Sequence, residues 1–387
     1  MNKKPKIKIL FRHRSMEMGG VEKVLLSMLK NLDKKKFDLS LCLNLFQGEL
    51  RNEIPKDIPF KTLAKGKEDF SANPFLKKVQ LAFRGMKLAL YRQFPIIPDT
   101  FILKNNADVE IATGYTMFAD VLNSSNKNSK KIGWLHSDIT FPKLQPVVPQ
   151  LLEQIPKFDY FIFGSQQSED ILKATYPNLP LPNHQVIVNA IPIEEIKEKA
   201  GEFVPDFKTS DPVFVAVGRL HSRKGFKKLI EAHSKLITDG FPHKVMIIGD
   251  GEEKDNLNKI INELNVSDSF TLLGSLLNPY PYVKNADFFI MPSESEGWPL
   301  IIADTLILQK PIIATAVGGI PEMIEHKKNG YLIDYNSDEI YNAMKTFMTE
   351  KALVQAIQEN LKSSEKQFDN QKIFDAVEDI IINLVNK

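Results

Sequence analysis

The stretch that decides the fold is VFVAVGRLHSRKGFKKLIEAH, residues 213–233. Its apolar start, VFVAVG, predicts a buried strand that ends at Gly218, and the basic loop after it leads into a helix. A buried strand followed at once by a helix is the repeating unit of a parallel α/β sheet. The stretch therefore predicts a parallel sheet that is covered by helices on both faces.

The same alternation of apolar runs and amphipathic segments extends along the whole chain. The predicted strands are 6–11, 37–45, 109–115, 131–137, 160–165 and 185–189 in the first half, and 213–218, 244–251, 270–274, 288–293, 311–315 and 330–334 in the second. Two sets of six predict an α/β protein with two Rossmann-like doubly wound domains. We place them at 1–188 and 189–365, joined near 188–195, with a C-terminal helix in 366–387.

Composition is typical of an ordinary globular protein, with 43% hydrophobic and 25% charged residues among 387. The only cysteine, Cys42, excludes an intramolecular disulfide, which fits a reducing compartment. The sequence contains no apolar run of signal-peptide or membrane-spanning character. We therefore expect a cytoplasmic protein.

The charge is unevenly shared between the two halves. Residues 1–188 hold 28 Lys and Arg against 18 Asp and Glu, and residues 189–387 hold 22 against 30. The two balances are thus +10 and −8. This difference is either chance variation between surfaces or a sign that the first half faces something anionic, such as phospholipid or polyphosphate.

Ligands of open α/β sheets bind beyond the carboxyl ends of the strands, and two such domains facing each other would form a cleft. After the first strand, Gly19 and Gly20 precede an amphipathic helix, where backbone N–H groups can approach an anion. The alternative is a plain strand-to-helix turn. In the second half, Arg219 and Lys224 lie on the loop after a strand and suit a diphosphate; the alternative is a solvated basic loop.

Other cofactor patterns are weak or missing in the sequence. The segment IIGDGEEKD (247–255) has no third glycine in register for a dinucleotide site, and no Asp-x-Asp or metal-ligand spacing occurs. We therefore expect no metal and no cofactor. If a nucleoside diphosphate leaves from this site, Arg219, Lys224 and helix dipoles must stabilise it.

The stretch SESEGWPLIIADTL, residues 293–306, places two acids eight positions apart. A helix from about Pro299 would leave Glu296 before its start, able to reach a reacting sugar, and Asp304 inside it, able to bind a vicinal diol. The alternative is one solvated acid and one helix acid. His136, at the end of a predicted strand, is either a sugar contact or a structural histidine.

In this combination the chain resembles the retaining glycosyltransferases of the GT-B fold, family 4, also called glycosyl transferases group 1. The resemblance covers essentially the whole chain and is most specific from 217 to 333. It rests on these motifs in order: MGGVEKVLL, VGRLHSRKGFKKLIEAH, IIGDGEEKDNL, NPYPYVKNADFFIMPS, EGWPLIIADTL and PIIATAVGGIPEMIEHKKNGYLI. It implies that the last helix crosses back onto the first domain.

The resemblance also implies roles for individual residues. Arg219 and Lys224 would bind the donor diphosphate, and Asp304 would bind the ribose, although the family usually has Glu at that position. Glu296 and His136 would contact the donor sugar. Leu276 would contact the base of the nucleotide. The resemblance also gives these further donor-binding positions: Gly19 and Gly20, and, in the turn after Glu296, Gly297, Trp298 and Leu300.

The reaction implied is metal-independent transfer, with retention, of a hexose or N-acetylhexosamine from a nucleoside-diphosphate sugar. UDP is the expected nucleotide, with GDP-mannose next, and the acceptor would be a glycan or a lipid-linked glycan in cell-surface polysaccharide synthesis. The alternatives are a nucleotide-sugar epimerase on the same fold, or a nucleotide-sugar-binding protein without catalysis. A phosphorylase is disfavoured because it would be much larger and would need pyridoxal phosphate.

The segment NPFLKKVQLAFRGMKLALYRQF, residues 73–94, predicts contact with a membrane surface. It carries five cations and no acid, and its apolar residues recur at helical spacing: Leu76, Val79, Phe83, Met86, Leu90 and Phe94. A basic amphipathic helix can lie on an anionic membrane. The alternative is a helix that packs this apolar face on its own sheet.

Overall fold

The computed structural model describes residues 5–137, 139–140 and 144–386. The chain forms two compact units. Unit 1 consists of Met1–Ala190 together with Asn370–Lys387, and unit 2 consists of Ile191–Asp369.

Unit 1 is built on a seven-stranded parallel sheet with the order β3-β2-β1-β4-β5-β6-β7. Its strands are β1 Ile7–His13, β2 Phe37–Phe46, β3 Phe60–Lys65, β4 Val109–Ala112, β5 Lys130–Leu135, β6 Tyr160–Phe163 and β7 His184–Val186. Its helices before the join are α1 Gly20–Asn31, α2 Pro74–Gln93, α3 Phe118–Leu122, α4 Val148–Gln154 and α5 Gln166–Thr175.

One strand of this sheet, β3, is absent from the sequence-based prediction. It is an edge strand that pairs only with β2, and its sequence FKTLAK buries only Leu63 and Ala64. An edge strand does not need the continuous apolar run that marks a central parallel strand. The sequence pattern of about six strands per domain therefore missed this one edge strand.

Unit 2 contains all six strands predicted for it, in a parallel sheet with the order β10-β9-β8-β11-β12-β13. The strands are β8 Val213–Val217, β9 Lys244–Ile248, β10 Phe270–Gly274, β11 Phe288–Met291, β12 Ile312–Thr315 and β13 Tyr331–Ile333. The helices are α6 Ile193–Lys199, α7 Phe226–Thr238, α8 Lys254–Glu263, α9 Tyr280–Asn285, α10 Leu300–Ile307, α11 Ile320–Met323, α12 Ser337–Thr349 and α13 Lys351–Leu361.

The last helix, α14 Asn370–Val385, packs with unit 1, as predicted for a helix that crosses back. Its Glu378 accepts a hydrogen bond from the backbone N–H of Asp33 at 2.8 Å and pairs with Lys36 Nζ at 2.7 Å. Phe374, Val377 and Ile381 are buried on its inner face. The end of the chain thereby helps to fix the region between α1 and β2.

The strand orders mark where ligands should bind. In a doubly wound sheet the crevice opens beyond the carboxyl ends of two neighbouring strands whose connections run in opposite directions. These strands are β1 and β4 in unit 1 and β8 and β11 in unit 2. The loops that follow them are therefore the first place to look for a site in each unit.

Among the described residues, no helix combines the length and the apolar character needed to cross a membrane.

Candidate active site

The two loops at the switch point of unit 2 meet through a buried ion pair. Lys224 lies on the loop after β8 and Glu296 on the loop after β11, and Lys224 Nζ is 2.7 Å from Glu296 Oε1. The side chains are only 14% and 7% exposed. Charged residues so deeply buried normally have a partner or a function, and here they stand where the fold predicts a ligand.

Glycines hold the backbone around this pair. Gly225, directly after Lys224, has φ +70°, and a Cβ there would overlap the carbonyl oxygen of Pro292. Gly318, on the loop after β12, has φ +60°, and a Cβ there would overlap the carbonyl oxygen of Glu296. Only glycine fits both positions, because a side chain would clash and the backbone angle is unfavourable as well. The loops after β8, β11 and β12 are thus packed backbone to backbone.

Arg219, which was predicted to bind the same diphosphate as Lys224, lies in a different environment. Its side chain is 73% exposed, and its Nε lies 3.5 Å from Glu252 Oε2. A surface pair of this length contributes little to stability. The structure thus brings Lys224 and Glu296 into contact, and it leaves the Arg219 guanidinium at the surface of unit 2.

Asp304 lies in α10 and is 2% exposed. Pro299 occupies the N-cap position, so the helix begins at Leu300, one residue later than predicted. Tyr280, at the start of α9, donates a hydrogen bond from its hydroxyl to Asp304 Oδ2 at 3.1 Å. Tyr280 was not singled out from the sequence; a tyrosine hydroxyl needs a partner when it is buried, and only the fold shows that this partner is Asp304.

The residues around the turn after Glu296 are packed into unit 2. Trp298 is 8% exposed, and its ring packs edge to face against that of Phe368, with the ring centroids 6.4 Å apart. Leu300 is buried as well, whereas Gly297 and Leu276 are half-buried. Gly319 donates its backbone N–H to the carbonyl oxygen of Gly297 at 2.5 Å. Since the Trp298 side chain belongs to the core, any donor contact from this turn would be made by its backbone.

In unit 1, the glycine pair lies at the start of α1, after the switch-point strand β1. Gly19 is the N-cap residue and Gly20 is the first helical residue, and no side chain caps the helix. The carboxylate of Glu22 folds back over Gly19 so closely that a Cβ there would overlap it. The space predicted for an anion therefore has an acidic side chain beside it.

His136 follows β5 and stacks on Trp134, with ring centroids 5.2 Å apart. Burial, and then the neighbouring charge of His13 when protonated, lower the pKa of His136 to about 3. The imidazole is therefore neutral near pH 7, so one ring nitrogen can donate a hydrogen bond and the other can accept one.

Two switch-point residues of unit 1 were missed from the sequence. His13 ends β1, and its Nδ1 is 2.7 Å from the hydroxyl oxygen of Thr113, which follows β4. That hydroxyl donates to the carbonyl oxygen of Arg12 at 3.0 Å, so His13 Nδ1 is the donor of the first bond. His13 Nε2 is buried without a hydrogen-bond partner among the described residues and lies 3.5 Å from Glu22 Oε1. Their positions at the ends of β1 and β4 were the available signal.

A second group of buried charges lies among the strands of unit 1. Glu110, on β4, is 0% exposed. Its carboxylate accepts hydrogen bonds from Arg12 at 2.8 Å, Lys131 at 2.5 Å, and Ser124 and Ser129 at 2.7 Å each. Arg12 also pairs with buried Asp99 at 2.6 Å. We call these four ionised side chains, Arg12, Asp99, Glu110 and Lys131, the Arg12 cluster; its formal charges sum to zero.

Two doubly wound units of this kind are the architecture of the GT-B fold. Residues 198–364 match the family model described as glycosyl transferases group 1. The match lies within unit 2, and the protein is a glycosyltransferase of the hexosyltransferase class.

A relative and two solved structures illustrate the similarity. The Campylobacter jejuni N-acetylgalactosamine-N,N'-diacetylbacillosaminyl-diphospho-undecaprenol 4-alpha-N-acetylgalactosaminyltransferase is 28% identical over 93% of this chain and 95% of that protein. Anabaena HepE in complex with UDP and glucose has a TM-score of 0.76 at 20% identity, covering 97% of this chain and 100% of that one. An S. aureus TarM variant with Fondaparinux, alpha-GlcNAc-glycerol and UDP has a TM-score of 0.74 at 14% identity, covering 98% and 100%.

Proposed function

We propose that the protein is a retaining glycosyltransferase of family 4 that transfers a hexose or N-acetylhexosamine from a UDP-sugar to a glycan or lipid-linked acceptor. The observation that carries this proposal is the buried Lys224–Glu296 pair at the switch point of unit 2. Lys224 offers fixed positive charge to a departing diphosphate. Glu296 offers a carboxylate that can accept hydrogen bonds from a sugar's hydroxyl groups.

The charges of Lys224 and Glu296 suit heterolytic cleavage of the bond between the sugar and the diphosphate, in which the bonding electrons leave with the phosphate. As the nucleoside diphosphate leaves, negative charge grows on its oxygens and positive charge grows on the sugar ring. Lys224 has two further N–H donors beyond the one directed at Glu296, and these can meet the phosphate. Exposed Arg219 adds a bidentate donor, so the proposal needs no metal ion. A phosphate oxygen of the departing nucleoside diphosphate would take the proton of the acceptor hydroxyl.

Other residues would fix the rest of the donor. We propose that Asp304 binds the ribose, directly or through a water, and that Leu276 contacts the base. Neutral His136 would donate to or accept from a sugar hydroxyl, and its lowered pKa supports this role over that of a cation. Gly19 and Gly20 would approach the diphosphate by their backbone, with the Glu22 carboxylate turned toward His13.

The donor and acceptor classes are supported by the relatives. HepE has been solved with UDP and glucose, which favours UDP as the nucleotide. The Campylobacter relative is named for a diphospho-undecaprenol acceptor, which favours a lipid-linked glycan in cell-surface polysaccharide synthesis. The Campylobacter relative is named as a transferase, which favours sugar transfer over the epimerase alternative. Cys42 is a buried free thiol, which is consistent with a reaction at the cytoplasmic face of a membrane.

A thermal-shift panel of UDP, GDP, ADP and their sugars tests the donor. A ligand that binds only the folded state at about 100 times its Kd stabilises the fold by roughly 2.7 kcal/mol, so UDP and UDP-sugars should raise Tm most. Sugar transfer to extracted lipid-linked glycan should then follow, and it should persist in excess EDTA. A larger shift with GDP would overturn the choice of UDP. Activity lost in EDTA and restored by Mg²⁺ would overturn metal independence.

A further inference from the structure

The long helix α2 is exposed in a way that is unusual for its composition. None of its 20 residues is buried. Of the 15 large apolar side chains that are exposed among the described residues, nine lie between positions 75 and 101: Phe75, Leu76, Val79, Phe83, Met86, Leu90, Phe94, Ile96 and Phe101. Scattered exposed apolar residues are normal, but a contiguous group of this size marks an interaction surface.

The helix does not pack its predicted apolar face against unit 1. The less exposed positions are Leu81, Arg84, Leu88 and Tyr91, which repeat at three- and four-residue intervals and form the inward stripe. Leu88 and Tyr91 pack on the small core around Leu10, Cys42 and Leu63. At 100° per residue, the centre of the apolar stripe from Phe75 to Leu90 lies roughly 150° around the axis from this inward stripe. The apolar stripe thus points away from unit 1.

The helix is nevertheless well fixed in this orientation. Asn73 caps its start by accepting hydrogen bonds from the backbone N–H groups of Phe75 at 3.0 Å and Leu76 at 3.2 Å. On the inward stripe, Arg84 donates to Gln47 Oε1 at 3.2 Å. An N-cap of this kind and a proline at the first helical position stabilise a helix end. The exposed stripe is therefore a stable feature of the fold.

Cations border the apolar stripe on both sides. By the same 100° rule, Lys78 lies on one flank and Lys87 on the other. Lys77, Lys78 and Lys87 form no ion pair among the described residues, and residues 73–94 contain no Asp or Glu. Long basic side chains beside an apolar ridge can reach phosphate groups while the ridge enters the boundary between headgroups and acyl chains. A protein partner would need an acidic groove of matching length, whereas an anionic bilayer supplies both features.

We propose that α2, extended by Phe94, Ile96 and Phe101, docks unit 1 on the surface of an anionic phospholipid bilayer. Phe75, Phe83 and Met86, which are 73%, 67% and 68% exposed, enter the bilayer interface. Lys78 and Lys87, on the two flanks of the stripe, bind lipid phosphates, and exposed Lys77 adds to the positive charge of the helix. The docking deepens the proposed function, because a transferase for a lipid-linked acceptor must meet that acceptor at a membrane, but it is a separate physical property of unit 1.

Vesicle sedimentation tests the surface without donor or acceptor. The full-length protein should sediment with vesicles of phosphatidylglycerol and phosphatidylcholine at low salt and remain free with phosphatidylcholine alone. Because each cation near an anionic surface contributes about 1 kcal/mol, K77E/K78E/K87E should bind more than about tenfold more weakly. F83S/M86S should also weaken binding, which a purely electrostatic contact would not predict.

Matched controls come from unit 2. K259E/K328E/K362E changes the net charge by the same amount at positions 72%, 60% and 63% exposed, and V204S removes an apolar side chain that is 79% exposed. Both should bind as the unmodified protein does, and all variants should keep its Tm. The proposal would be overturned if the protein bound neutral vesicles as well as anionic ones, or if the unit 2 controls lost as much binding as the α2 variants.

The same variants separate membrane docking from self-association and from the proposed reaction. Sedimentation velocity should show one species for the unmodified protein and for F83S/M86S; a dimer abolished by F83S/M86S would assign the stripe to a second copy instead. With a water-soluble acceptor, K77E/K78E/K87E should retain full turnover. Full vesicle binding without any transferase activity would leave this inference standing while overturning the proposed function.

Discussion

The Arg12 cluster and the Lys224–Glu296 pair are both buried groups of opposite charges, but they are built differently. Glu110 of the Arg12 cluster has four side-chain donors around its carboxylate and no exposure. Glu296 has a single side-chain donor, Lys224, among the described residues. A buried charge with all its hydrogen bonds made has little left to offer a ligand, whereas one with spare capacity does.

The Arg12 cluster and the Lys224–Glu296 pair also differ in where they lie relative to the strands. The Arg12 cluster joins β1, β4 and β5 through Arg12, Glu110 and Lys131, which lie within the strands. Lys224 and Glu296 lie on loops beyond the carboxyl ends of β8 and β11. Burial alone therefore does not distinguish a structural charge from a functional one; the count of satisfied hydrogen bonds and the place relative to the strand ends do.

The largest expected effect is on stability, from Glu110→Gln. Arg12 and Lys131 hold the pKa of Glu110 low despite its burial, so the carboxylate is charged and its loss leaves two buried cations undercompensated. Breaking a buried ion pair costs about 3–5 kcal/mol of unfolding free energy. Urea denaturation in a Trp298→Phe background measures this, because Trp134 is then the only tryptophan and lies in unit 1.

The control for this substitution is Glu153→Gln, which removes a charge within unit 1 from a pair with Lys157, the two side chains being 73% and 54% exposed. It should leave the unfolding free energy nearly unchanged. If Glu110→Gln were equally mild, the Arg12 cluster would not be a structural element of unit 1.

The next effect should be on activity. Lys224→Ala removes the proposed charged donor to the phosphate, and Glu296→Gln removes the proposed acceptor for the sugar hydroxyl groups. Each should cost about 2–4 kcal/mol of transition-state stabilisation. Because Glu296 accepts one side-chain hydrogen bond in the described part of the chain where Glu110 accepts four, the loss of folding free energy should be smaller than that of Glu110→Gln. Steady-state kinetics with a UDP-sugar and urea denaturation supply the two readouts. A stability loss as large as that of Glu110→Gln would place Lys224 and Glu296 with the structural charges.

Much of this comparison could be anticipated from the sequence, and part of it could not. The apolar strands and the residues after them are local signals, so both sheets and the loops carrying Lys224 and Glu296 were predictable. The Arg12 cluster joins residues up to about a hundred positions apart, and the Tyr280–Asp304 bond joins two helices. Such contacts depend on strand order, which no local pattern encodes. Edge strand β3 was missed because its residues are only partly apolar.

A smaller effect should distinguish the two acids of unit 2. Asp304→Ala should weaken UDP binding by about 1–3 kcal/mol if its carboxylate contacts the ribose. Tyr280→Phe removes one hydrogen-bond donor to Asp304 and should leave UDP affinity nearly unchanged, while costing about 1 kcal/mol of stability. Glu296→Gln should also leave UDP affinity unchanged if Glu296 contacts the transferred sugar, as proposed. Calorimetric titration of UDP into the three variants decides; equal losses in Asp304→Ala and Tyr280→Phe would make Asp304 a purely structural acid.

The smallest effect concerns His136, a proposed sugar contact that is half-buried and uncharged near pH 7. Its pKa of about 3 in the folded state lies below the ordinary value of 6.5, so between these values the unfolded chain binds a proton that the folded chain does not. His136 therefore lowers stability as the pH falls below about 6.5 and has no such effect above it. Between pH 7.5 and 5.5, His136→Gln should lose less unfolding free energy than the unmodified protein, by on the order of 1 kcal/mol. With Trp134 as the reporter, His233→Gln is the matched control: burial lowers the pKa of His233 to about 3 as well, but in unit 2. If His136→Gln kept the original pH dependence of unit 1, the imidazole would not be held neutral by the fold, and its proposed role as an uncharged sugar contact would fail.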